Sequence, residues 1–371
     1  MSAAQLIAPQ HIAVLSRLMF QGYSGNLETP VTDLDRVEPD LEYVSALGDG
    51  ALADFLRAAD LHHVVVRALE VLRRAAARKQ NQKILDWCEQ SLTSKCNRIA
   101  HAVDCLFPIC NAFESAGCQV TVIKSLDHWP DLGSDLDLYT TADDQTVTRI
   151  MTQQVQAKLE PRSWGDRLAN KWSFAVPGLP ELVEIHVRYL GQTGEHKAMA
   201  RRLVERATIR TINGHTFRVA APEERIVVST LQRMYRHFYF RLCDMADFAA
   251  LLQRDEADFG ELRHAADKGG IWPGVATFLF LVCQYANQYG GEISLPQQVT
   301  SAVHSPDIRV QLRGNFLRVP MLPAASLYGS QLVSAGLNRD LRAMFRLPLL
   351  PPLALTALLA YRVTGSDKGV W

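Results

Sequence analysis

The sequence predicts an α+β protein in which a mixed β-sheet core is flanked by N- and C-terminal helical regions. Two changes of periodicity carry that reading. Up to about residue 116 apolar residues recur at three- and four-residue intervals, as helices require. From 117 to 220 short β-branched runs alternate with Pro- and Gly-bearing turns, and from 221 to 371 the helical spacing returns. A third observation is the 48% apolar content, enough to bury a sizeable core. The expected division is therefore 1–116 helical, 117–220 α/β, and 221–371 helical.

The elements follow in order. Residues 24–42, with their Pro, Asp and Gly content, read as a loop. A helix is expected over 51–77 and a second over 81–115, broken near Pro108 and capped by Gly117. The run 119-QVTVIK-124 is a strand, and so is 135-DLDLY-139. Thr141 and Asp144 form a capping box for a helix over 142–158. Strands 171–176 and 182–190 pair across 177-PGLPE-181, and a second hairpin at 207–220 turns on Asn213-Gly214. Pro222 opens a long amphipathic helical run to about 253, with Glu223 and Glu224 in its first turn. The apolar run 347–361 holds three prolines and is too short to span a membrane, so a buried terminal helix is expected.

Composition narrows the function. Lys plus Arg number 39 and Asp plus Glu number 39, which argues against a dedicated nucleic-acid binder. The seven cysteines form no C-x-x-C pair and read as free thiols of a reducing compartment, so a cytoplasmic location is expected. The first residues lack the basic and apolar regions of a signal peptide. No phosphate-binding Walker loop, G-x-S-x-G or H-E-x-x-H occurs.

The chemistry concentrates in 124-KSLDHWPDLGSDLDLYT-140. Side chains two apart on a strand share a face, so Asp135 and Asp137 point one way while Leu136 and Leu138 point into the core. Two carboxylates this close repel unless a cation bridges them, and a hard ion such as Mg²⁺ suits an all-oxygen site. In 183-VEIHVRY-189 the residues Glu184, His186 and Arg188 share one face. If this strand lies beside DLDLY, Glu184 becomes a third carboxylate. Three acids on neighbouring strands match the needs of two-metal phosphoryl or nucleotidyl transfer.

This arrangement resembles the nucleotidyltransferase superfamily typified by DNA polymerase β and the aminoglycoside nucleotidyltransferases. Its signature is a hydrophobic residue, Gly-Gly or Gly-Ser, a spacer, then Asp-hydrophobic-Asp, with a later acid. Ile123-Lys124-Ser125, Ser134-Asp135-Leu136-Asp137-Leu138 and Glu184 stand at those places. More narrowly, VIKS (122–125), SDLDL (134–138), VEIH (183–186) and MYRHFYFRLCDMADF (234–248) resemble a bacterial family of uncharacterised nucleotidyltransferases, over about 50–270. Ser125 replaces that family's Gly, and the loop before Asp135 is shortened to 128-HWPDLG-133.

The resemblance implies a nucleotidyltransferase-fold core. It implies Mg²⁺- or Mn²⁺-dependent transfer of a nucleoside monophosphate from an NTP to an acceptor hydroxyl or phosphate. Asp135, Asp137 and Glu184 would be the catalytic and metal-binding acids. Lys124, Ser125, Ser134, His186 and Arg188 would form the nucleotide side. Partners are then a nucleotide and an unidentified small molecule or peptide, without bulk nucleic acid or a membrane span; the sequence gives no oligomeric state. Transfer of another group, such as a sugar, and a non-catalytic scaffold of the same fold stay open.

Other residues have plainer readings. His186 is equally a strand histidine hydrogen-bonded beside the site, and Arg188 a partner of Glu184 or Asp137. Lys171 and Arg167 read as solvated charges. The run 233-RMYRHFYFR-241 reads as core before base-pocket wall, with Tyr235 or Phe238 as the stacking candidates. Asp244 reads as the partner of a nearby Arg, and His62-His63 as packing.

Overall fold

Residues 6–22, 34–303, 305, 307–353, 355, 356 and 359 are described by a computed structural model. Seven strands form one mixed sheet: β1 (Val120–Val122), β2 (Asp135–Thr140), β3 (Lys158–Leu159), β4 (Lys171–Ala175), β5 (Leu182–Val187), β6 (Thr208–Ile212) and β7 (His215–Val219). Their spatial order is β3-β4-β5-β2-β1-β7-β6. β2 runs parallel to β5, and β1 to β7; the other neighbours are antiparallel. With helices on both sides, the protein is α+β, as expected. Both hairpins form at the anticipated turns.

The pleat sorts the two faces. Val122, Leu138 and Ile185 lie on one, and all three are buried. Phe217 continues that face across β7, and its ring meets Phe107 edge-on from the long helix Gln82–Ser115. The opposite face carries Thr121, Asp137, Tyr139, Glu184 and His186. At one end of it Thr121 Oγ1 donates to Leu203 O at 3.0 Å, so the helix Ala198–Glu205 covers that end. Asp135, Asp137 and Glu184 stand toward the other.

Several expected boundaries shift for local reasons. The 51–77 run is two helices, Asp49–Leu61 and Val65–Arg78, separated at His62-His63, where His63 adopts φ +52°. The second is capped from far away: the Asp131 carboxylate accepts Val66 N–H at 2.8 Å and Arg67 N–H at 3.3 Å. Gln82–Ser115 is unbroken, with Pro108 inside it. One missing donor does not end a helix whose apolar face is this deeply packed. Residues 24–33 of the expected loop lie outside the described residues, whereas 38–42 belong to the helix Glu38–Ser45.

The 142–158 helix is shorter, Asp144–Arg149 followed by a π-turn to Gln154, and its cap is Asp143, which accepts Thr146 N–H at 2.8 Å. The long run after Pro222 is interrupted. The helix Pro222–Gln232 opens into a π-turn at 233–237, Phe238 takes φ +54°, Tyr239–Phe240 forms strand β8, and a new helix runs Leu242–Gln253. β8 pairs with β10 (Phe316–Arg318), which pairs with β9 (Gln311–Arg313), so a distant hairpin fills the gap. In the 347–361 run Leu347 is buried, but Leu349, Leu355 and Leu359 are exposed, contrary to the expected buried helix; 354, 357, 358, 360 and 361 lie outside the described residues. Among the described residues no helix is long and apolar enough to cross a membrane.

Candidate active site

The parallel register of β2 and β5 builds the site. Asp137 stands directly beside Glu184, and Tyr139 beside His186. Asp135 is the preceding same-face residue of β2. The β4 register adds Lys171 beside His186. The three acids anticipated from period-two spacing therefore do share one face of adjacent strands.

Two of the three acids meet a cation of the chain. Lys124 Nζ donates to Asp137 Oδ1 at 2.6 Å and lies 3.4 Å from His186 Nε2. His186 Nε2 is 3.2 Å from the same Asp137 oxygen. Lys171 Nζ donates to both Glu184 oxygens at 3.1 Å and to Asp166 Oδ1 at 3.1 Å. Lys171 is buried rather than solvated, because the acids on both sides repay its desolvation.

The electrostatics follow from that pairing. Burial pushes the Asp135 carboxyl up to about 6, and the charges of Glu184 and Asp137 add to it. Burial would raise Asp137 too, but Lys124 and His186 hold it well below the usual carboxylate range. Burial and the neighbouring Lys124 ammonium lower His186, which favours the neutral imidazole. Against burial, Glu184 and Asp166 hold Lys171 above the ordinary ammonium value.

A strained turn aims Lys124. Its φ of 60° and ψ of −57°, with Ser125 N–H donating to Ile123 O at 2.6 Å, define a γ-turn of the rare φ-positive kind. The glycine-like backbone thus falls on Lys124, and Ser125 works as a staple. Its hydroxyl accepts Asp137 N–H at 2.7 Å and donates to Asp135 O at 3.2 Å, tying the turn to β2. Ser134 is exposed and donates to its neighbour Asp135 at 3.3 Å. Arg188 is not brought to the acids: at φ +67° it has left the sheet, and its Nε donates to Thr141 O at 3.3 Å.

Burial lowers His237, and the charges of Arg236, Arg233 and Lys124 add to that. His237 and Phe238 line a cavity of about 690 Å³ together with Arg313, Arg318 and Pro320. Tyr235 is packing instead: a Cβ on Gly274 would fall 2.3 Å from its hydroxyl oxygen. Asp244 pairs with Arg233 at 2.8 Å, as expected. Sequence reasoning missed Asp166, Arg313 and Arg318. The Ser163-x-x-Asp166 capping box was a readable signal for the first, whereas nothing local marks two arginines some 75 residues beyond the π-turn. A smaller cavity of about 310 Å³ is lined by Arg210, Arg225 and Arg254 with Asp127 and Asp247; neither cavity has a residue of the acid cluster in its lining.

The donor set fits a divalent ion. Asp137, Glu184 and His186 each offer an atom within 4.8 Å of the others, and Asp135 adds a carboxyl on the same face, raised first by burial and then by the charges of Glu184 and Asp137. Residues 51–291 match the model of a family described as uncharacterised nucleotidyltransferase. No curated protein and no solved structure matches the chain.

Proposed function

The chain belongs to the uncharacterised nucleotidyltransferase family and is a transferase, and from that premise we propose its reaction. It moves a nucleoside monophosphate from an NTP to a hydroxyl or phosphate of a small molecule or peptide in a modification or biosynthetic pathway. The acceptor oxygen bonds to the α-phosphorus as the bond to pyrophosphate breaks. The observation that supports this most is the β2–β5 register, which sets Glu184 beside Asp137 on the face that carries Asp135. Those three carboxylates would hold Mg²⁺ or Mn²⁺. A divalent ion there supplies Lewis-acid charge for the attacking oxygen and the leaving pyrophosphate.

The chain's own groups do the positioning. Lys124, held on Asp137, is placed to transfer its charge to a phosphate oxygen. Lys171 fixes the Glu184 carboxylate through both oxygens. His237, Phe238, Arg313 and Arg318 form the cavity that takes the nucleotide. The seven free thiols suit a reducing cytoplasm.

A thermal-shift panel of the four NTPs with Mg²⁺ or Mn²⁺ tests the reading. At least one NTP with metal should raise the melting temperature of the wild type, because a ligand that binds only the folded state stabilises it. Asp137→Asn should abolish that rise. A scaffold, whose acids are simply neutralised by Lys124 and Lys171, predicts no shift in either protein, and an equal shift in both would remove the acids from the site.

A further inference from the structure

We infer that His63, His128 and Cys243 form a second, buried metal site, selective for a borderline-soft divalent ion of the zinc class. One donor atom from each lies within 4.8 Å of the other two. The three residues come from separate elements: the break between two N-terminal helices, the end of the short turn Ser125–His128, and the first turn of the helix Leu242–Gln253. All three are buried, Cys243 completely.

Two further observations point to a ligand. His63 is 9% exposed, and its Nδ1 is enclosed without a hydrogen-bond partner. An unmet buried nitrogen is costly, and ligation would satisfy it. His128 is already oriented as a ligand: its Nδ1 bonds the Asp247 carboxylate, leaving Nε2 3.8 Å from Cys243 Sγ. Asp247 is held in turn by Arg67 at 2.6 Å. Such a carboxylate behind an imidazole is the usual outer shell of a metal-bound histidine.

The chemistry selects the ion. A thiolate and two imidazoles suit zinc and disfavour Mg²⁺. Tetrahedral zinc places its ligand atoms about 3.5 Å apart, close to the present His128–Cys243 separation. Gly133 leaves room beside His63, where a Cβ would sit 3.5 Å from Nδ1. On loading, the Cys243 thiol and the His128 imidazolium, which against burial is held protonated by Cys243 and Asp247, each give a proton to solvent. The site shares no residue with the acid cluster and stands whether or not nucleotidyl transfer is the reaction. It would join the loop between Lys124 and Asp135 to both helical regions.

Chelator-stripped full-length protein, titrated with Co²⁺, tests the site. The wild type should show a thiolate-to-cobalt charge-transfer band in the near ultraviolet, which Zn²⁺ erases. Asp137→Asn should keep the band and Cys243→Ser should lose it. Absence of the band in the wild type, or its persistence in Cys243→Ser, overturns the site. Should the Cys243 variant fail to fold, melting of stripped Asp137→Asn, whose acid cluster is disabled, decides: a rise with equimolar Zn²⁺ but not with equimolar Mg²⁺ supports the site, and no rise with Zn²⁺ overturns it.

Discussion

Asp135 stands in a strand whose other face buries Leu136 and Leu138, and its environment gives it an unusual titration. Its carboxyl, near 3.8 in the unfolded chain, is lifted to about 6 by burial and then by Glu184 and Asp137. Between those values the folded chain holds a proton that the unfolded chain releases. Stability therefore falls as pH rises through this window, and the penalty is complete above it. Asp135→Asn should stabilise the ion-free protein at pH 7.5 by about 1–2 kcal/mol, discounted for partial exposure, and by little at pH 4. Thermal unfolding of both proteins at the two pH values measures it; an equal gain at both would assign the effect to packing. Lys124 offers a second residue-scale test. Lys124→Gly removes the φ-positive strain but leaves Asp137 without its ammonium. The variant should keep its fold yet lose at least tenfold in NTP affinity by calorimetric titration, since a charge-assisted contact to phosphate is worth about 1.5–3 kcal/mol. Unchanged affinity would remove Lys124 from the phosphate path.

At the scale of elements, the buried Arg67 ties the loop 125–134 to two helices. Arg67 Nε meets Asp131 at 3.0 Å and Arg67 Nη1 meets Asp247 at 2.6 Å, while Asp131 caps the helix that carries Arg67. Removing one member of such a network strands the buried charges of the others. Arg67→Ala should cost about 3–5 kcal/mol in urea unfolding; a loss below 1 kcal/mol would show that the acids are solvated or protonated without it. Strands β1, β2, β4 and β5 and the β6–β7 hairpin were legible because alternation and Asn-Gly or Pro-Gly turns are local signals, whereas β3, β8 and the β9–β10 hairpin were not. Nor were the helix breaks. The interruption at His62-His63 and the π-turn at 233–237 occur where distant groups, Asp131 and the β9–β10 hairpin, take over backbone or packing duties.

At the scale of the molecule, the β9–β10 hairpin lies beyond residue 291, where the family match ends, and pairs with β8 just after the π-turn. Arg313 and Arg318 are exposed on it and line the cavity facing the π-turn. Replacing both with Ala should leave the melting temperature of the ligand-free protein within about a degree, since exposed substitutions rarely change stability. The same variant should weaken NTP binding about tenfold, and more at low salt, because screening of exposed charges is weaker there. A salt-independent loss would point to a collapsed cavity rather than lost charge.

The sequence by itself determined the class of fold and the phase of its acids. Period-two alternation puts Asp135 with Asp137, and Glu184 with His186, on common faces whatever the rest of the chain does. Only the tertiary structure decided that β2 and β5 are parallel neighbours in a register that sets Asp137 beside Glu184. It also decided that Lys171 is a buried partner of Glu184, that Arg188 turns away, and that His63, His128 and Cys243 meet. The reason is that a side chain's direction follows from its own strand. Its neighbours depend on contacts between residues 13 to 180 positions apart, which follow from how strands and helices pack rather than from local spacing.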